Sequence, residues 1–368
     1  MAKRAYIGID GRARRIKKLY VGAEGRARRV RRVYVGVGGT ARPCWSGGEL
    51  AYYGAVTPLS AQRKDLAGVT VGGYALFGGG DSDHASGSGT SGVVDAYNAS
   101  LTRTVPAALS EARTELAAAS VGSYALFGGG EGKDTVTQTV DAYNTSLTRL
   151  SVTDLSEKKY RHGAASVGSY ALFAGRPSSG VVNAYDASLT RTITTALIKG
   201  TQYLGAASMG GYALFGGGSS ADMNAYDASL TRTNPEPLRK AALHVGAAAA
   251  EGRALFGGGE GSVLVDAYDR SLVKTAAANL SDGKTRPAPA GVEPYVVFAG
   301  GYVEYGAVSL TDVYDDTLTK TVAEPIDAYQ HASATVGSYA LFGGGAGSPA
   351  AMGGAAIITA AVSAFRVT

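Results

Sequence analysis

The chain has 368 residues, with 35 Lys and Arg against 30 Asp and Glu, and a formal net charge of +5 at pH 7. Its single cysteine, Cys44, excludes an internal disulfide and a cysteine-based metal site. No stretch approaches the roughly 20 apolar residues that span a bilayer. No apolar run follows the basic start MAKRAY, so we expect neither membrane insertion nor a secretion signal.

The first 48 residues repeat with a period of 14, and each repeat is expected to form a small β-hairpin. The register is marked by Tyr6, Tyr20 and Tyr34. Asp10-Gly11 and Glu24-Gly25 are typical of type I′ hairpin turns. One long meander would pair Lys17 with Arg32, and like charges directly opposite destabilise a sheet, so separate hairpins are favoured.

Charge divides the chain at the same point. Residues 1–48 carry thirteen Lys and Arg against Asp10 and Glu24, a net charge of +11, and the remainder has a net charge of −6. This division predicts separate roles: a basic attachment or oligomerisation module at 1–48 and a main domain at 49–368. The residues expected to mediate attachment are Arg12, Arg14, Tyr20, Arg26, Arg28 and Tyr34.

A basic segment can bind nucleic acid through its phosphates. Here the arginines recur in hairpin register with tyrosines, and Tyr20 is expected opposite Arg29, which suits cation–π packing inside the module. We therefore expect the partner of residues 1–48 to be a structural protein of a particle or further copies of the chain, giving a homo-oligomer, rather than nucleic acid.

Seven copies of one phrase recur beyond residue 50. The phrase reads YALFGGG at Tyr74–Gly80, Tyr124–Gly130, Tyr212–Gly218 and Tyr339–Gly345, with variants at Tyr170–Gly175, Arg253–Gly259 and Tyr295–Gly301. Its phenylalanines are 41 to 50 residues apart, a period typical of propellers, solenoids or arrays. Each copy contains four strand-sized pieces and no sustained helical pattern, which predicts an all-β, seven-bladed β-propeller.

The seventh copy has no recognisable fourth strand. Phe365 stands in it where the other copies have a tyrosine. Ala51–Pro58 precedes Leu59-Ser60 in the way that the last strand of the first copy precedes Leu109-Ser110. We predict that residues 51–57 form the outer strand of the last blade, which would close the ring and hide sheet edges.

Roughly residues 51–368 resemble the Kelch family. The LFGGG phrase matches the hydrophobic residue and two glycines that end the second strand of a Kelch blade. The Tyr-Asp of its third strand is matched at Tyr185-Asp186, Tyr226-Asp227, Tyr268-Asp269 and Tyr314-Asp315, with Asn98 and Asn144 as substitutes. The family's tryptophan seven residues after the tyrosine is absent. The resemblance implies the propeller fold, which hosts enzymes, adaptors and lectin-like binders alike.

The hairpin repeats are similar to N-terminal segments of structural proteins from phages and prophages of Gram-positive bacteria, including tail-tip and fibre proteins. This resemblance implies that residues 1–48 mount the protein on a particle. It also implies a virion location, reached by assembly in the bacterial cytoplasm. Without a particle, a cytoplasmic location is expected.

Comparison of the seven copies with one another predicts one constant and one variable face. The turns between first and second strands and between third and fourth strands are nearly identical, whereas the other loops differ in length and sequence. A rigid frame that varies on one face suits binding, although drift in unused loops would look similar. The predicted ligand-binding residues, rich in the Tyr and Arg of interface hot spots, are Tyr160, Arg161, Gln202, Tyr203, Arg286, Tyr302, Tyr305, Tyr329 and Gln330.

No catalytic or metal-binding constellation is recognised, and we expect no cofactor. His162 and His331 stand where other copies have leucine, so they are interpreted as core or channel residues. Asp81, Asp83 and His84 are interpreted as a solvated loop. Some Kelch-like propellers are copper oxidases that need a Tyr–Cys crosslink, and Cys44 lies outside the propeller.

Three functions stay open. The favoured one is a non-enzymatic, virion-associated binding protein (tail tip, fibre or decoration) whose propeller recognises a surface glycan or protein. The second is a cytoplasmic Kelch-type adaptor for protein interactions. The third is a glycan-active enzyme with its site on the variable face.

Overall fold

The structure, a computed structural model, describes residues 49–83, 89–176, 178–303, 306–307, 310–347 and 357–368 and, ahead of them, the backbone of strands between residues 6 and 46. The described residues contain no helix, and hence none long and apolar enough to cross a membrane. Contacts divide the chain into one unit of residues 1–51 with 366–368 and a second of residues 52–365.

Three two-stranded antiparallel sheets account for the strands of the first 46 residues. Their strands are Tyr6–Ile9 with Arg12–Arg15, Leu19–Ala23 with Arg26–Val30, and Arg32–Val37 with Thr40–Ser46. In the second sheet Tyr20 is paired in register with Arg29, as the period predicts. The predicted turn residues Asp10-Gly11 and Glu24-Gly25 lie outside the described residues.

Seven four-stranded antiparallel sheets among the described residues form the blades of a seven-bladed β-propeller. The inner strands are Ala67–Val71, Ala117–Val121, Gly163–Val167, Gly205–Met209, Gly246–Ala250, Ala288–Val292 and Ala332–Val336. The second strands are Tyr74–Gly78, Tyr124–Gly128, Tyr170–Ala174, Tyr212–Gly216, Arg253–Gly257, Tyr295–Ala299 and Tyr339–Gly343. The small residues of the inner strands fit the axis, where the blades converge.

The third and outer strands complete each blade. The third strands are Val94–Asn98, Val140–Asn144, Val182–Asp186, Met223–Asp227, Val265–Asp269, Thr311–Tyr314 and Val362–Val367. The outer strands of the first six blades are Arg103–Thr104, Arg149–Ser151, Arg191–Thr194, Arg232–Thr233, Lys274–Ala276 and Lys320–Ala323. Two short ribbons add Tyr302–Val303 with Gly306–Ala307 and Ala346–Gly347 with Ile357–Ile358.

Leu50–Val56 is the outer strand of the seventh blade, where it pairs with Val362–Val367. The predicted closure by an N-terminal strand is therefore confirmed. The ring also closes at its centre, because the Thr70 hydroxyl of the first blade donates to the Thr335 carbonyl of the seventh at 2.7 Å.

Aromatic pairs hold each blade together and tie it to the one before. Phe77 and Tyr97 lie edge to face with centroids 5.9 Å apart, and the other blades repeat this contact. The Tyr97 hydroxyl donates to the Thr57 carbonyl at 2.9 Å, across the junction between the seventh and first blades. This hydrogen bond explains the tyrosine of the Tyr-Asp motif in physical terms, since a buried hydroxyl needs a partner.

Buried ion pairs anchor the segments that join the blades. Arg63 with Asp95, Arg113 with Asp141 and Lys284 with Asp312 are separated by 2.5, 2.8 and 2.9 Å, and none of the six side chains is more than 1% exposed. Each cation lies in the segment that joins two blades, four residues before the inner strand begins. The segments that carry these cations were predicted to form the variable, binding face, but their basic residues at this position are core residues that fix the backbone next to the channel.

The glycines that end the second strands form backbone hydrogen bonds with the neighbouring joining segment. Gly80 N donates to the Arg113 carbonyl at 2.9 Å, and Gly130 N donates to the Lys159 carbonyl at 2.7 Å. The preceding Gly79 has φ +72°, and a Cβ there would lie 2.6 Å from the Arg113 carbonyl oxygen. Close backbone approach therefore requires glycine at this point of the repeat.

Candidate functional site

Seven side chains, one from each blade, surround one mouth of the central channel. Each belongs to a residue that lies two positions before the start of an inner strand, and each has a left-handed backbone with φ between 50° and 63°. The members of this mouth ring are Asp65, Glu115, Arg161, Tyr203, His244, Arg286 and Gln330. Glycine adopts this conformation most easily, yet no blade uses it here, so a side chain is retained at every position.

The backbone links the mouth ring as well. Five hydrogen bonds run from the amide of one member to the carbonyl of the preceding blade's member, with lengths of 2.7 to 3.0 Å. They join Glu115 to Asp65, Arg161 to Glu115, Tyr203 to Arg161, His244 to Tyr203 and Asp65 to Gln330. These hydrogen bonds hold the main chain of six of the seven members in one continuous series, from Gln330 through Asp65 to His244.

Arg286 connects opposite sides of the mouth. Its Nη1 donates to Asp65 Oδ1 at 2.9 Å and its Nε donates to His244 Nδ1 at 3.1 Å. Its Nη2 lies 3.4 Å from the Tyr203 hydroxyl and 4.0 Å from Glu115 Oε1. One guanidinium thus contacts members from four other blades, and all three of its nitrogens have partners.

Arg161 is held by a carboxylate and two aromatic rings. Its Nε donates to Glu115 Oε2 at 2.5 Å, and its guanidinium carbon lies 4.9 Å from the ring centroids of both Tyr160 and Tyr203. Arg286 approaches Tyr203 in the same way, at 5.2 Å. Cation–π contacts of this kind order flexible arginine side chains.

Burial shifts the titration of the mouth ring. It raises the pKa of Asp65 to about 6, against the opposing effect of Arg286 and with a smaller contribution from the charge of Glu115. Burial, followed by the charges of Arg286 and Arg161, lowers the pKa of His244 to about 3. His244 is therefore neutral and can accept the hydrogen bond from Arg286, while the two carboxylates and two guanidiniums balance in formal charge.

The mouth ring encloses a cavity of about 320 Å³. Below the polar side chains its wall is apolar and includes Leu66, Leu116, Leu204 and Val245. His162 and His331, also in this wall, are buried at the positions of leucine, as the sequence predicts. The described residues contain no cluster of His, Cys, Asp and Glu with the geometry of a metal site.

The cavity lies on the face predicted to be variable, because joining segments and loops after the second strands meet there. For example, Thr114 of a joining segment forms an isolated β-bridge with Glu131 of such a loop, and Tyr329 forms one with Ala346. Of the residues predicted to bind ligand, Arg161, Tyr203, Arg286 and Gln330 are members of the mouth ring and Tyr160 contacts Arg161.

The other predicted residues lie beside the cavity or outside the described chain. Tyr302 and Tyr329 contact each other with ring centroids 5.4 Å apart. Gln202, the residue before Tyr203, is partly buried. Tyr305 lies outside the described residues, as do the side chains predicted for attachment, Arg12, Arg14, Tyr20, Arg26, Arg28 and Tyr34.

Sequence reasoning missed Asp65, Glu115 and His244. A signal was present, because each stands directly before the apolar residue that precedes an inner strand. Aligned at that point, the seven copies give D, E, R, Y, H, R and Q, a column that is polar throughout and varied in chemistry.

These features define a seven-bladed propeller with a polar site at the mouth of its channel. No model of a known protein family matches the chain, and no curated protein matches it. Of the solved structures, 875 chains match, and one of them, titled "Structure of YjhT", has a TM-score of 0.58 at 13% identity. That match covers 73% of this chain and 99% of the other. At this identity it supports the fold alone.

Proposed function

We propose that the propeller is a non-enzymatic binding domain for a saccharide, which enters the cavity inside the mouth ring. The observation that carries this proposal is the convergence of seven polar side chains of five chemical types on one cavity. Saccharides present many hydroxyl groups in fixed directions, and a ring of ordered donors and acceptors matches such a ligand.

The size of the cavity favours a small ligand over a protein surface. Its volume of about 320 Å³ is near the lower end of the range of small-molecule sites, roughly 300 to 1,000 Å³. The apolar wall beneath the ring suits the C–H surfaces of a sugar. One or two sugar units at the end of a surface glycan would fit this space.

We further propose that residues 1–48 mount the protein on a phage or prophage particle. The support for this proposal is the period-14 repeat and its net charge of +11. The partner on the particle would then be a structural protein with an acidic surface, and the propeller would face the host glycan.

A second candidate function is acid–base catalysis on a glycan. It is favoured by Asp65, whose pKa is raised by burial to about 6 and which lies in the same charge cluster as Glu115. A carboxyl group that is partly protonated near neutral pH can act as a general acid beside a second carboxylate.

The test is ligand-observed NMR of the full-length chain against a panel of bacterial surface saccharides. We expect binding to be lost in Tyr203→Ala and Arg286→Ala and retained in Arg270→Ala, whose side chain lies near the turns on the opposite face at Gly210 and Gly252. Absence of binding to every saccharide would contradict the proposal. New sugar resonances that appear with time would favour the enzyme.

A further inference from the structure

Arg161 differs from Arg286 in how its nitrogens are used. Arg286 donates from Nε, Nη1 and Nη2 to other members of the mouth ring. Arg161 donates only from Nε, to Glu115, and its Nη1 and Nη2 have no hydrogen-bond partner among the described residues. Its side chain is 30% exposed and lines the cavity.

The free edge of Arg161 is fixed in position. Glu115 holds the Nε side, and Tyr160 and Tyr203 each pack against the guanidinium with the same distance of 4.9 Å. A surface arginine usually loses side-chain entropy when it binds an anion. Here that ordering is already present before a ligand arrives, so an anion at the free edge would meet a prepared site.

We infer that the terminal nitrogens of Arg161 receive the carboxylate of an acidic saccharide, which makes the ligand a glycan that ends in, or exposes, a uronic-acid-type sugar. The inference rests on the proposed saccharide binding and names its chemical class. The planar edge of a guanidinium matches the two oxygens of a carboxylate and binds them through two parallel hydrogen bonds.

The charge balance of the mouth ring favours an anion with a single charge. The Asp65 carboxylate is paired with Arg286 and accepts a hydrogen bond from the uncharged amide of Gln330, and Glu115 is paired with Arg161. Beyond the free edge of Arg161, the ring therefore offers no cation for a second negative charge on the ligand. A doubly charged phosphate monoester would add repulsion from both carboxylates. A singly charged sulfate ester is the closest competitor, and it lacks the planar pair of oxygens.

The experiment uses the full-length chain on an array of matched glycans. Each hexuronate is printed beside the neutral hexose and the 6-sulfated hexose of the same configuration and linkage. We expect the wild-type chain to prefer a hexuronate over its neutral partner by roughly tenfold, the effect of one charge-assisted hydrogen-bonded pair. Arg161→Gln should abolish this preference and leave the weaker binding of the neutral glycan.

Two further variants keep the result interpretable. Arg161→Lys retains the charge without the planar fork and should retain only part of the preference, and Arg270→Ala on the opposite face should behave as wild type. Thermal melting of each variant reports whether it is folded. If Arg161→Gln melts early, the comparison rests on Arg161→Lys.

The possible outcomes separate this inference from the proposed function. Equal binding of neutral and acidic partners overturns the inference and leaves saccharide binding in place, as does a preference that survives Arg161→Gln. Tighter binding of the sulfated partner overturns the assignment of a carboxylate. Absence of binding to any glycan contradicts the proposed function itself.

Discussion

Arg286 of the sixth blade binds Asp65 of the first across the channel mouth, with Nη1 2.9 Å from Oδ1. The two residues are 221 positions apart in the sequence. Their contact exists only because the ring closes, and it couples the charge of the mouth to pH, since burial raises the pKa of Asp65 to about 6.

The first prediction concerns ligand binding between pH 7.5 and pH 5. As the pH falls through about 6, Asp65 becomes neutral, Arg286 loses the nearer of its two charged partners and the mouth gains positive charge. His244 stays neutral in this range because its pKa is about 3. We expect affinity for an acidic saccharide to rise by roughly tenfold, the effect of one partly screened neighbouring charge. Titration calorimetry at both pH values measures it, and Asp65→Asn should remove the change. An equal rise in that variant would contradict the role of Asp65.

The second prediction concerns the buried histidines in the cavity wall. Burial lowers the pKa of His331 to about 4 and that of His162 to about 3, below the unfolded value of about 6.5. The unfolded chain therefore takes up these protons first, and stability falls as the pH drops below about 6.5, with the full loss reached near the folded pKa. At pH 5 this linkage costs about 2 kcal/mol for each histidine.

His331→Leu places in the seventh blade the residue that Leu66, Leu116 and Leu204 supply elsewhere. Neither imidazole nitrogen of His331 has a hydrogen-bond partner among the described residues. We expect the variant to be more stable at pH 7 and to lose about 2 kcal/mol less than wild type on acidification to pH 5. Urea unfolding at the two pH values is the measurement. A parallel loss in both proteins would show that His331 does not carry the linkage.

The third prediction concerns the buried ion pairs. Arg113→Met leaves the carboxylate of Asp141, 1% exposed, with the partly exposed Arg149 as its cationic partner at 3.1 Å. The loss of the buried partner should cost about 3 kcal/mol of unfolding free energy, the lower end of the range for a broken buried pair. The double variant Arg113→Met with Asp141→Asn should recover most of that loss. The fourth blade shows that asparagine is accommodated at this position. There Asn224 replaces the aspartate and accepts a hydrogen bond from Ile198 N at 2.9 Å. If the double variant unfolds as easily as the single one, the pair has another role.

How much the sequence predicts follows from the range of the interactions. The LFGGG phrase and the Tyr-Asp motif report contacts within a blade or between adjacent blades. They recur in the copies with few substitutions, such as Phe365 in the seventh, so the strands and the closure by residues 51–57 could be predicted. The mouth ring depends on contacts between distant blades, such as Asp65 with Arg286, and no local pattern specifies which of its members meet.

The buried ion pairs were less predictable than the strands and more predictable than the contacts of the mouth ring. Arg63, Arg113 and Lys284 occur in copies that carry Asp95, Asp141 and Asp312 on the third strand, and the fourth copy has Thr201 with Asn224. The pairing is not strict, because the third copy has Lys159 with Asn183 and the fifth has Ala242 with Asp266. Part of the pattern was therefore available in the sequence. It was overlooked because charged residues in joining segments were interpreted as exposed, which is the usual state of such residues.

The fourth prediction concerns closure of the ring. Removal of residues 1–58 deletes Leu50–Val56, the contact of Tyr52 with Phe365 at 5.3 Å and the carbonyl that accepts from Tyr97. We expect the melting temperature to fall by roughly 10 °C or more, the result of several kcal/mol lost in a domain of this size. Removal of residues 1–45 should leave it nearly unchanged. Equal melting temperatures for the two truncations would count against closure by this strand.

The last prediction concerns the hairpin segment. Its three two-stranded sheets are of a kind that is marginally stable in water without further strands or a partner. Its net charge of +11 adds repulsion between hairpins and attraction to an acidic surface, and salt weakens both. We therefore expect the full-length chain to self-associate or to attach to a particle, and residues 51–368 alone to be monomeric. Light scattering of both proteins at low and high salt tests this expectation, with hydrogen exchange of the hairpin amides as the second measurement. A full-length monomer that binds no particle component and still protects its hairpin amides would remove the mounting role.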